Sequence, residues 1–301
     1  MSCHTSWAEV VRAHTKCDCP SRERRGNTGI AMIAPTVFMG SGPAAQRSAG
    51  TTQVIMPKPL ADRIALVTGA SRGIGHALAL MLAEAGAHVV ALARTVGGLE
   101  ELDDAIRAAG GSATLVPLDL KDYDGIDRLG ATLAERYGRL DVLVGNAGVL
   151  GPISPLGHVE PKAWDEVFAV NVTANWRLIR SMDPLLQRAQ AGRAVFLTSG
   201  AASNFRAYRG PYSISKAALE GLVRTYAAET ASTPVRVNLF NPGPTRTRMR
   251  AQFMPGEDPA TLPKPEQVAE KILALCLPDF TATGRLYDYR AQRLLEFRPP
   301  A

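Results

Sequence analysis

The chain has 301 residues, of which 46% are hydrophobic and 21% are charged. These fractions are typical of a water-soluble globular protein with one large domain or two small ones. No run of about 18 uncharged apolar residues occurs, so the sequence predicts no membrane-spanning helix. Half of the net charge of +6 falls in residues 1–55, and the nearly balanced remainder offers no basic stripe for nucleic acid.

Residues 1–55 differ in composition from the rest of the chain, because they mix Arg, Ser, Gly, Thr and Pro without helical or strand periodicity. The apolar run at residues 30–39 contains Pro35 and begins late for a secretory signal, while an organelle-type presequence stays open. We favour a third interpretation, in which Met56 is the natural start. Residues 1–55 are then a spurious or disordered extension, and residues 56–301 form one domain.

Three of the four cysteines, Cys3, Cys17 and Cys19, lie in this first segment. Cys276 is the only cysteine of the remainder, which therefore cannot form an internal disulfide and fits a reducing, cytoplasmic compartment. His14 stands close to Cys17 and Cys19, but no second ligand pair follows at a usual spacing. The sequence therefore predicts no metal site.

From residue 62 onward, apolar β-prone runs alternate with segments of helical periodicity. The predicted strands are residues 64–67, 87–93, 113–118, 140–144, 194–198, 235–240 and 285–289. The predicted helices are residues 73–85, 99–109, 123–137, 161–189, 265–277 and one that begins near Gly210. Such alternation indicates an α/β fold with a doubly wound parallel sheet of about seven strands, of the Rossmann type, in a single domain.

A glycine-rich turn joins the first strand to the first helix, between Thr68 and Gly75. The spacing of Gly69, Gly73 and Gly75 is not G-x-G-x-x-G, but the physical consequence is the same. Glycines let the backbone approach a pyrophosphate, and the helix N-terminus presents free N–H groups. The turn therefore predicts a nucleotide site.

Tyr212 and Lys216 are four residues apart on a predicted helix and share one of its faces. A fixed ammonium next to a phenol is expected to lower the phenol pKa, which would make Tyr212 a general acid/base near neutral pH. Ser199 comes after the preceding strand and can face the same space. The Tyr-x-x-x-Lys spacing occurs by chance in long helices, so its weight comes from the nucleotide site that precedes it.

In this context, residues 62–248 resemble the short-chain dehydrogenase/reductase family in its compact form. Six motifs match in the family's order, and the thirteen-residue step from Ser199 to Tyr212 is typical of it. The resemblance implies that a nicotinamide cofactor is contacted by Thr68, Gly69, Ser71, Arg72, Gly73, Ile74, Gly75, Arg94, Asp119, Leu120, Asn146, Ala147, Gly148, Tyr212, Lys216, Pro242, Gly243, Thr245 and Thr247.

The resemblance also implies a catalytic set and a reaction. Tyr212 exchanges the proton, and Lys216 lowers its pKa and holds the nicotinamide ribose. Ser199 binds the carbonyl oxygen, and Asn171 positions a water that links Lys216 to solvent. The implied reaction is hydride transfer between the cofactor and a carbonyl or alcohol carbon.

The fourth strand departs from the family pattern, because Gly145 stands where the family carries the first of two asparagines. Asn146 is kept, so we expect a local change in sheet hydrogen bonding and no loss of cofactor binding.

The second strand indicates which cofactor is preferred. Ala93 occupies the position where family members that use NAD carry an acid for the ribose 2′-hydroxyl. Arg94 comes next, and Arg72 lies in the glycine turn, so two guanidiniums and no carboxylate favour a 2′-phosphate. We therefore favour NADP(H), with NAD(H) open.

The substrate pocket is predicted from three segments: Val149, Leu150, Pro152 and Ile153; residues 205–208; and a mobile lid at residues 249–262. Arg206, Arg248 and Arg250 either bind an acidic substrate or are solvated. The rivals to a carbonyl reductase or alcohol dehydrogenase are a non-catalytic NADP(H) sensor and an epimerase or dehydratase, which usually carries a larger C-terminal domain. The resemblance also implies a homodimer or homotetramer.

Overall fold

The structure is a computed structural model that describes residues 58–297. The predictions for residues 1–55, for Met56 as a start and for His14, Cys17 and Cys19 lie outside the described residues.

The described chain alternates strands and helices as predicted, with small shifts at the ends. Its strands are β1 Ile64–Thr68, β2 His88–Ala93, β3 Ser112–Pro117, β4 Val142–Gly145, β5 Arg193–Leu197, β6 Arg236–Asn241, β7 Arg285–Asp288 and β8 Arg293–Glu296. Its helices are α1 Gly73–Glu84, α2 Val96–Ala108, α3 Tyr123–Tyr137, α4 Pro161–Phe168, α5 Ala174–Arg188, α6 Ala201–Asn204, α7 Gly210–Glu229, α8 Arg248–Phe253 and α9 Pro265–Cys276.

The strands form one sheet in the order β3-β2-β1-β4-β5-β6-β7-β8. Strands β1 to β7 are parallel, and β8 pairs antiparallel with β7. The strand order reverses between β1 and β4, and in doubly wound sheets this reversal opens a crevice at the carboxyl ends of the strands. The fold class is the one predicted.

Helices cover both faces of the sheet, because alternate side chains of each buried strand point to opposite sides. In β1, Ala65 and Val67 pack with α1, α2 and α9, whereas Leu66 packs with α3, α5 and α7. All three side chains are fully buried. This double burial explains why the strands read as continuous apolar runs.

Several elements differ from the prediction, among them the short helices α6 and α8, which were not predicted. The helix predicted over residues 161–189 is divided into α4 and α5 by a π-helical turn, Ala169–Thr173. A short antiparallel strand, β8, comes after a tight turn that ends β7 and was not predicted. Its burial is low, with only Leu295 half-buried, so it lacks the apolar pattern from which the other strands were recognised.

Candidate active site

A cavity of about 790 Å³ opens at the carboxyl ends of β1, β2, β4 and β5. The predicted cofactor residues that line it are Gly69, Ser71, Arg72, Gly73, Ile74, Arg94, Asp119, Leu120, Asn146, Ala147, Gly148, Tyr212, Lys216, Pro242 and Thr247. Predicted residues from six separate segments of the chain are thus brought to one crevice. Thr68, Gly75, Asn171, Ser199, Gly243 and Thr245 are not part of its lining and lie behind or beside it.

The glycine turn has the backbone geometry that its sequence requires. Gly69 and Gly73 have φ of +67° and +60°, in the left-handed region that side chains other than glycine rarely adopt. The residue before α1, Arg72, makes no side-chain capping bond to the helix. The first N–H groups of α1 therefore stay available at the cavity wall.

Thr68 and Asn146 tie the end of β1 to the end of β4. The Thr68 Oγ1 accepts hydrogen bonds from the backbone N–H groups of Asn146 (3.0 Å) and Ala147 (3.1 Å) and donates to the carbonyl of Val144 (3.2 Å). The Asn146 Nδ2 donates to the Thr68 carbonyl at 2.8 Å. Thr68 shapes the cavity floor from behind, which explains why it does not line the space itself.

The effect of Gly145 is on side-chain packing, and the expected change in sheet hydrogen bonding is not seen. It pairs in register with Phe196 of β5, so the ladder continues through it. A side chain at this position would collide with the Phe196 ring and with Oδ1 of Asn175. The space of the family's first asparagine is thus filled by groups from β5 and α5.

Arg72 and Arg94 line the cavity at the end of β2, next to Ala93. The Arg94 Nη1 lies 3.7 Å from Oδ2 of Asp119, and both side chains are largely exposed. An exposed pair at this distance is weak, and Arg94 can turn to another anion at little energetic cost.

Ser199, Tyr212 and Lys216 come together at the end of β5. Ser199 lies two residues beyond that strand, and Tyr212 and Lys216 lie in the first two turns of α7. The Lys216 Nζ lies 5.9 Å from the centroid of the Tyr212 ring and donates a 2.7 Å hydrogen bond to the Leu197 carbonyl. The spacing therefore brings the two side chains together. The Lys216 ammonium nevertheless bonds to Leu197, and the Tyr212 hydroxyl bonds to Ser199.

The predicted lowering of the Tyr212 pKa is wrong for this structure. Burial raises the pKa of Tyr212, and hydrogen bonding to Ser199 opposes this only partly. Burial also lowers the pKa of Lys216 to about 8, while the nearby Glu220 carboxylate raises it. Desolvation disfavours the charged form of each group and is the largest influence on both pKa values.

Glu220 was not singled out from the sequence, although it stands one helical turn after Lys216. Its Oε1 accepts a 2.8 Å hydrogen bond from Oγ1 of Thr198, which is the first residue after β5. Burial raises the pKa of Glu220, and Thr198, Arg224 and Lys216 act in the opposite direction. The i,i+4 spacing was the available signal, but it is common on solvated helices.

Asn171 lies in the π-helical turn and is fully buried. Its Oδ1 accepts from the N–H of Val149, and its Nδ2 donates to the Val149 carbonyl, each at 2.9 Å. Nδ2 also donates to Oγ of Ser215 at 3.0 Å. The side chain thus holds the cavity wall at Val149, and the backbone carbonyl of Asn171 accepts a 2.9 Å hydrogen bond from Nδ2 of Asn175. The predicted role of Asn171 in placing a water stays a prediction.

The segment after β6 bends around the mouth of the cavity. Thr245 Oγ1 donates to the Pro242 carbonyl at 3.2 Å, and Gly243 has φ of +62°, so both shape the turn. Thr247 lines the cavity, and its Oγ1 accepts from the N–H of Arg250 at 3.2 Å and so caps α8. The predicted lid at residues 249–262 is thus partly helical.

The substrate-side predictions are met in part. Val149, Leu150, Ile153 and Met249 line the cavity, whereas Pro152 and residues 205–208 do not. Gln252, in the predicted segment 249–262, also lines it. Lining residues that sequence reasoning did not name include Thr95, Gly151, Val170, Leu197, Thr198, Arg246 and Pro265. Val170 and Arg246 each adjoin a named motif residue, and that adjacency was the only signal.

Three features of this cavity fit a dinucleotide: a glycine turn without side chains, an uncapped helix N-terminus and a pair of guanidiniums. Within residues 58–297, no helix is long and apolar enough to cross a membrane. The same part of the chain contains no group of three or more His, Cys, Asp or Glu side chains arranged to hold a metal ion.

Comparisons with known proteins agree with this geometry. Residues 63–258 match the family described as short chain dehydrogenase. YciK of Escherichia coli K12, described as an uncharacterized oxidoreductase, is 37% identical over 238 residues, which cover 78% of this chain and 94% of that protein. The chain therefore belongs to the short-chain dehydrogenase/reductase family, and it is an NAD(P)-dependent oxidoreductase.

Solved structures of relatives have the same fold. A short chain dehydrogenase from Shigella flexneri 2a, described as complexed with NADP, is 36% identical, with a TM-score of 0.75 over 78% of this chain and 100% of that one. Another from Escherichia coli CFT073, described as complexed with NADPH, is 37% identical, with a TM-score of 0.73 over 77% and 98%.

Proposed function

We propose that this protein is an NADP(H)-dependent reductase of ketones or aldehydes, or a dehydrogenase of secondary alcohols in the reverse direction. The observation that carries the proposal is that Tyr212 and Lys216 line the same cavity as the glycine turn and Arg72. A nucleotide bound at that turn therefore extends toward a proton donor within one continuous crevice.

The preference for NADP(H) over NAD(H) is supported by charge. Arg72 and Arg94 line the cavity where β2 ends, and the end of that strand carries Ala93 in place of an acid. A guanidinium offers several N–H donors in a plane, which suits a phosphate. The two relatives described as complexes with NADP and NADPH agree with this preference.

The bound nicotinamide supplies or accepts the hydride, and the chain's own residues handle the proton and the oxygen. Tyr212 donates its phenolic proton to the carbonyl oxygen as negative charge develops there, and accepts it in the reverse direction. Ser199 donates a hydrogen bond to the same oxygen. The raised pKa of Tyr212 keeps it protonated at neutral pH, which suits a proton donor in the reducing direction.

Lys216 has donors to spare for the ribose hydroxyls. An ammonium carries three N–H groups, and the Leu197 carbonyl takes one of them at 2.7 Å. The remaining donors can face the cavity that Lys216 lines. Its charge also stabilises a phenolate at Tyr212 after the proton has left. Asn171 supports this arrangement by fixing Val149.

A screen of ketones, aldehydes and secondary alcohols with both cofactors tests the proposal. We expect oxidation of NADPH, monitored by absorbance, to depend on a carbonyl compound and to exceed that of NADH. Tight NADPH binding without turnover of any substrate would favour a nucleotide sensor.

We further propose that the protein assembles as a homodimer or homotetramer, as its family commonly does. Trp176 of α5 is 45% exposed, a large apolar surface to leave in water. Light scattering at micromolar concentration is expected to give a multiple of the chain mass of 32.1 kDa, and a monomeric mass would refute the assembly.

A further inference from the structure

Arg209 comes immediately before the helix that carries Tyr212, beside the cavity and outside the residues that line it. Its guanidinium carbon lies 3.8 Å from the centroid of the Phe253 ring. Phe253 is the last residue of α8, and Met249 and Gln252 of that helix line the cavity together with Tyr212. The stacked pair therefore joins the start of α7 to the outer wall of the substrate space.

In the described part of the chain, three arginines lie around this pair, and only one of them is paired with a carboxylate. Burial lowers the pKa of Arg209, and the neighbouring cations Arg206 and Arg250 lower it further. Arg250 is neutralised by Glu257 through two hydrogen bonds of 2.5 and 2.6 Å. Among residues 58–297, no carboxylate lies within ion-pairing distance of Arg209, and no protein acceptor takes a hydrogen bond from its guanidinium.

The guanidinium is thus prearranged for an anion. Stacking on Phe253 fixes its plane and leaves the N–H groups along its edge, where they match the two oxygens of a carboxylate. An anion bound there would also offset the repulsion between Arg209 and its neighbouring cations, of which Arg206 is the first. The cavity lining also offers apolar side chains, among them Val149, Leu150 and Met249.

We propose that Arg209 binds a carboxylate of the substrate, so that the substrate is an oxo acid with an apolar segment between its carbonyl and its acid group. This inference rests on the proposed function, since it names the class of carbonyl compound reduced at Tyr212. Its reverse substrate is the corresponding hydroxy acid. Arg209 is therefore a specificity-determining residue, outside the set that handles hydride and proton.

The test compares straight-chain oxo acids of increasing length with their methyl esters, which keep the carbonyl and lose the charge. We expect kcat/KM to favour the acids. Arg209→Ala should lower kcat/KM for the acids by about 10- to 100-fold and leave the esters within about twofold, the scale of hydrogen bonds to a charged group. Arg209→Lys, which keeps the charge without the planar fork, should fall between.

Arg136→Ala is the matched control, because Arg136 is an exposed arginine of α3 that lies 5.3 Å from the Tyr137 ring, away from the cavity. This variant should leave kcat/KM unchanged for both the acids and the esters. Melting temperatures of all variants identify any that unfold. Two outcomes would overturn the carboxylate site and leave the proposed reductase activity intact. One is equal kcat/KM of the wild type for esters and acids, and the other is an equal loss of kcat/KM for both in Arg209→Ala.

A binding measurement separates this inference from the proposed function. Straight-chain fatty acids and their amides contain no ketone or aldehyde group, so the enzyme cannot reduce them. Calorimetry therefore measures their affinity without turnover. We expect the acids to bind more tightly than the amides, and Arg209→Ala to abolish the difference. If this holds while no oxo acid or ester is reduced, the reductase fails and the anion site remains. Equal binding of acids and amides overturns the site.

Discussion

Lys216 donates a hydrogen bond from Nζ to the carbonyl of Leu197, the last residue of β5, at 2.7 Å. This bond fastens the active-site face of α7 to the strand end that leads to Ser199. It also places an ammonium in a buried position, 4% exposed, where the nearest opposite charge belongs to Glu220. The properties of the site depend on how this buried charge is balanced.

Tyr212→Phe separates proton transfer from cofactor binding. The ring keeps its packing and Lys216 keeps its contacts, so NADPH affinity measured by fluorescence titration should change little. Turnover should fall by about 10²- to 10⁴-fold, the usual contribution of a general acid. Full turnover by this variant would remove Tyr212 from the mechanism.

The buried Lys216 makes the stability of the cofactor-free protein depend on pH. Its pKa is about 8 in the folded chain against 10.5 for an ordinary lysine, so the unfolded chain binds more protons between these values. Its contribution to stability therefore rises as pH increases from about 8 to 10.5, by about 3 kcal/mol in total. Burial raises the pKa of Cys276 and Tyr212, and these groups lower stability as pH increases, so the test uses a difference. The unfolding free energy of the wild type minus that of Lys216→Met, measured with urea, should grow by this amount across the range.

Lys162→Met, which changes an exposed lysine of α4, provides the comparison and should keep the rise. The prediction fails if Lys216→Met and the wild type show the same dependence of unfolding free energy on pH.

Glu220→Gln tests whether the buried carboxylate supports the charge of Lys216. Glutamine can still accept the hydrogen bond from Thr198, but it loses the negative charge that raises the Lys216 pKa. The ammonium should then be lost at lower pH. We expect the alkaline limb of NADPH binding, titrated against pH, to move down by about one unit.

The control for this change is Glu229→Gln, at the exposed end of α7, which should leave the alkaline limb in place. An unchanged limb in Glu220→Gln would show that this carboxylate has no part in tuning Lys216.

Arg94→Ala tests cofactor choice. If the Arg94 guanidinium binds a 2′-phosphate, its removal should raise the Kd for NADPH by about tenfold or more and leave the Kd for NADH nearly unchanged. Arg128→Ala, at an exposed arginine paired with Asp122 at 3.2 Å, should alter neither value. Equal losses for both cofactors would contradict recognition of the 2′-phosphate.

The alternation of apolar strands and helices was readable in the sequence because buried parallel strands are apolar on both faces, and this alone predicted the fold class. Asn146 was identified through its resemblance to a family motif, because its bond to Thr68 joins segments 78 residues apart. The glycine turn and the Tyr212–Lys216 spacing were readable because each meets a local requirement: a positive φ or a shared helix face. Such requirements depend on near neighbours in the chain, so the sequence contains them.

Only the tertiary structure decided the pKa values of these groups and their contacts with distant segments. The Tyr212 pKa is raised because burial depends on residues from distant segments, and no local spacing reveals it. The same is true of the bond from Thr198 to Glu220, of the Phe196 ring beside Gly145, and of the stacking of Arg209 on Phe253. Each joins segments far apart in the chain, and packing alone sets their distance and their exposure to water.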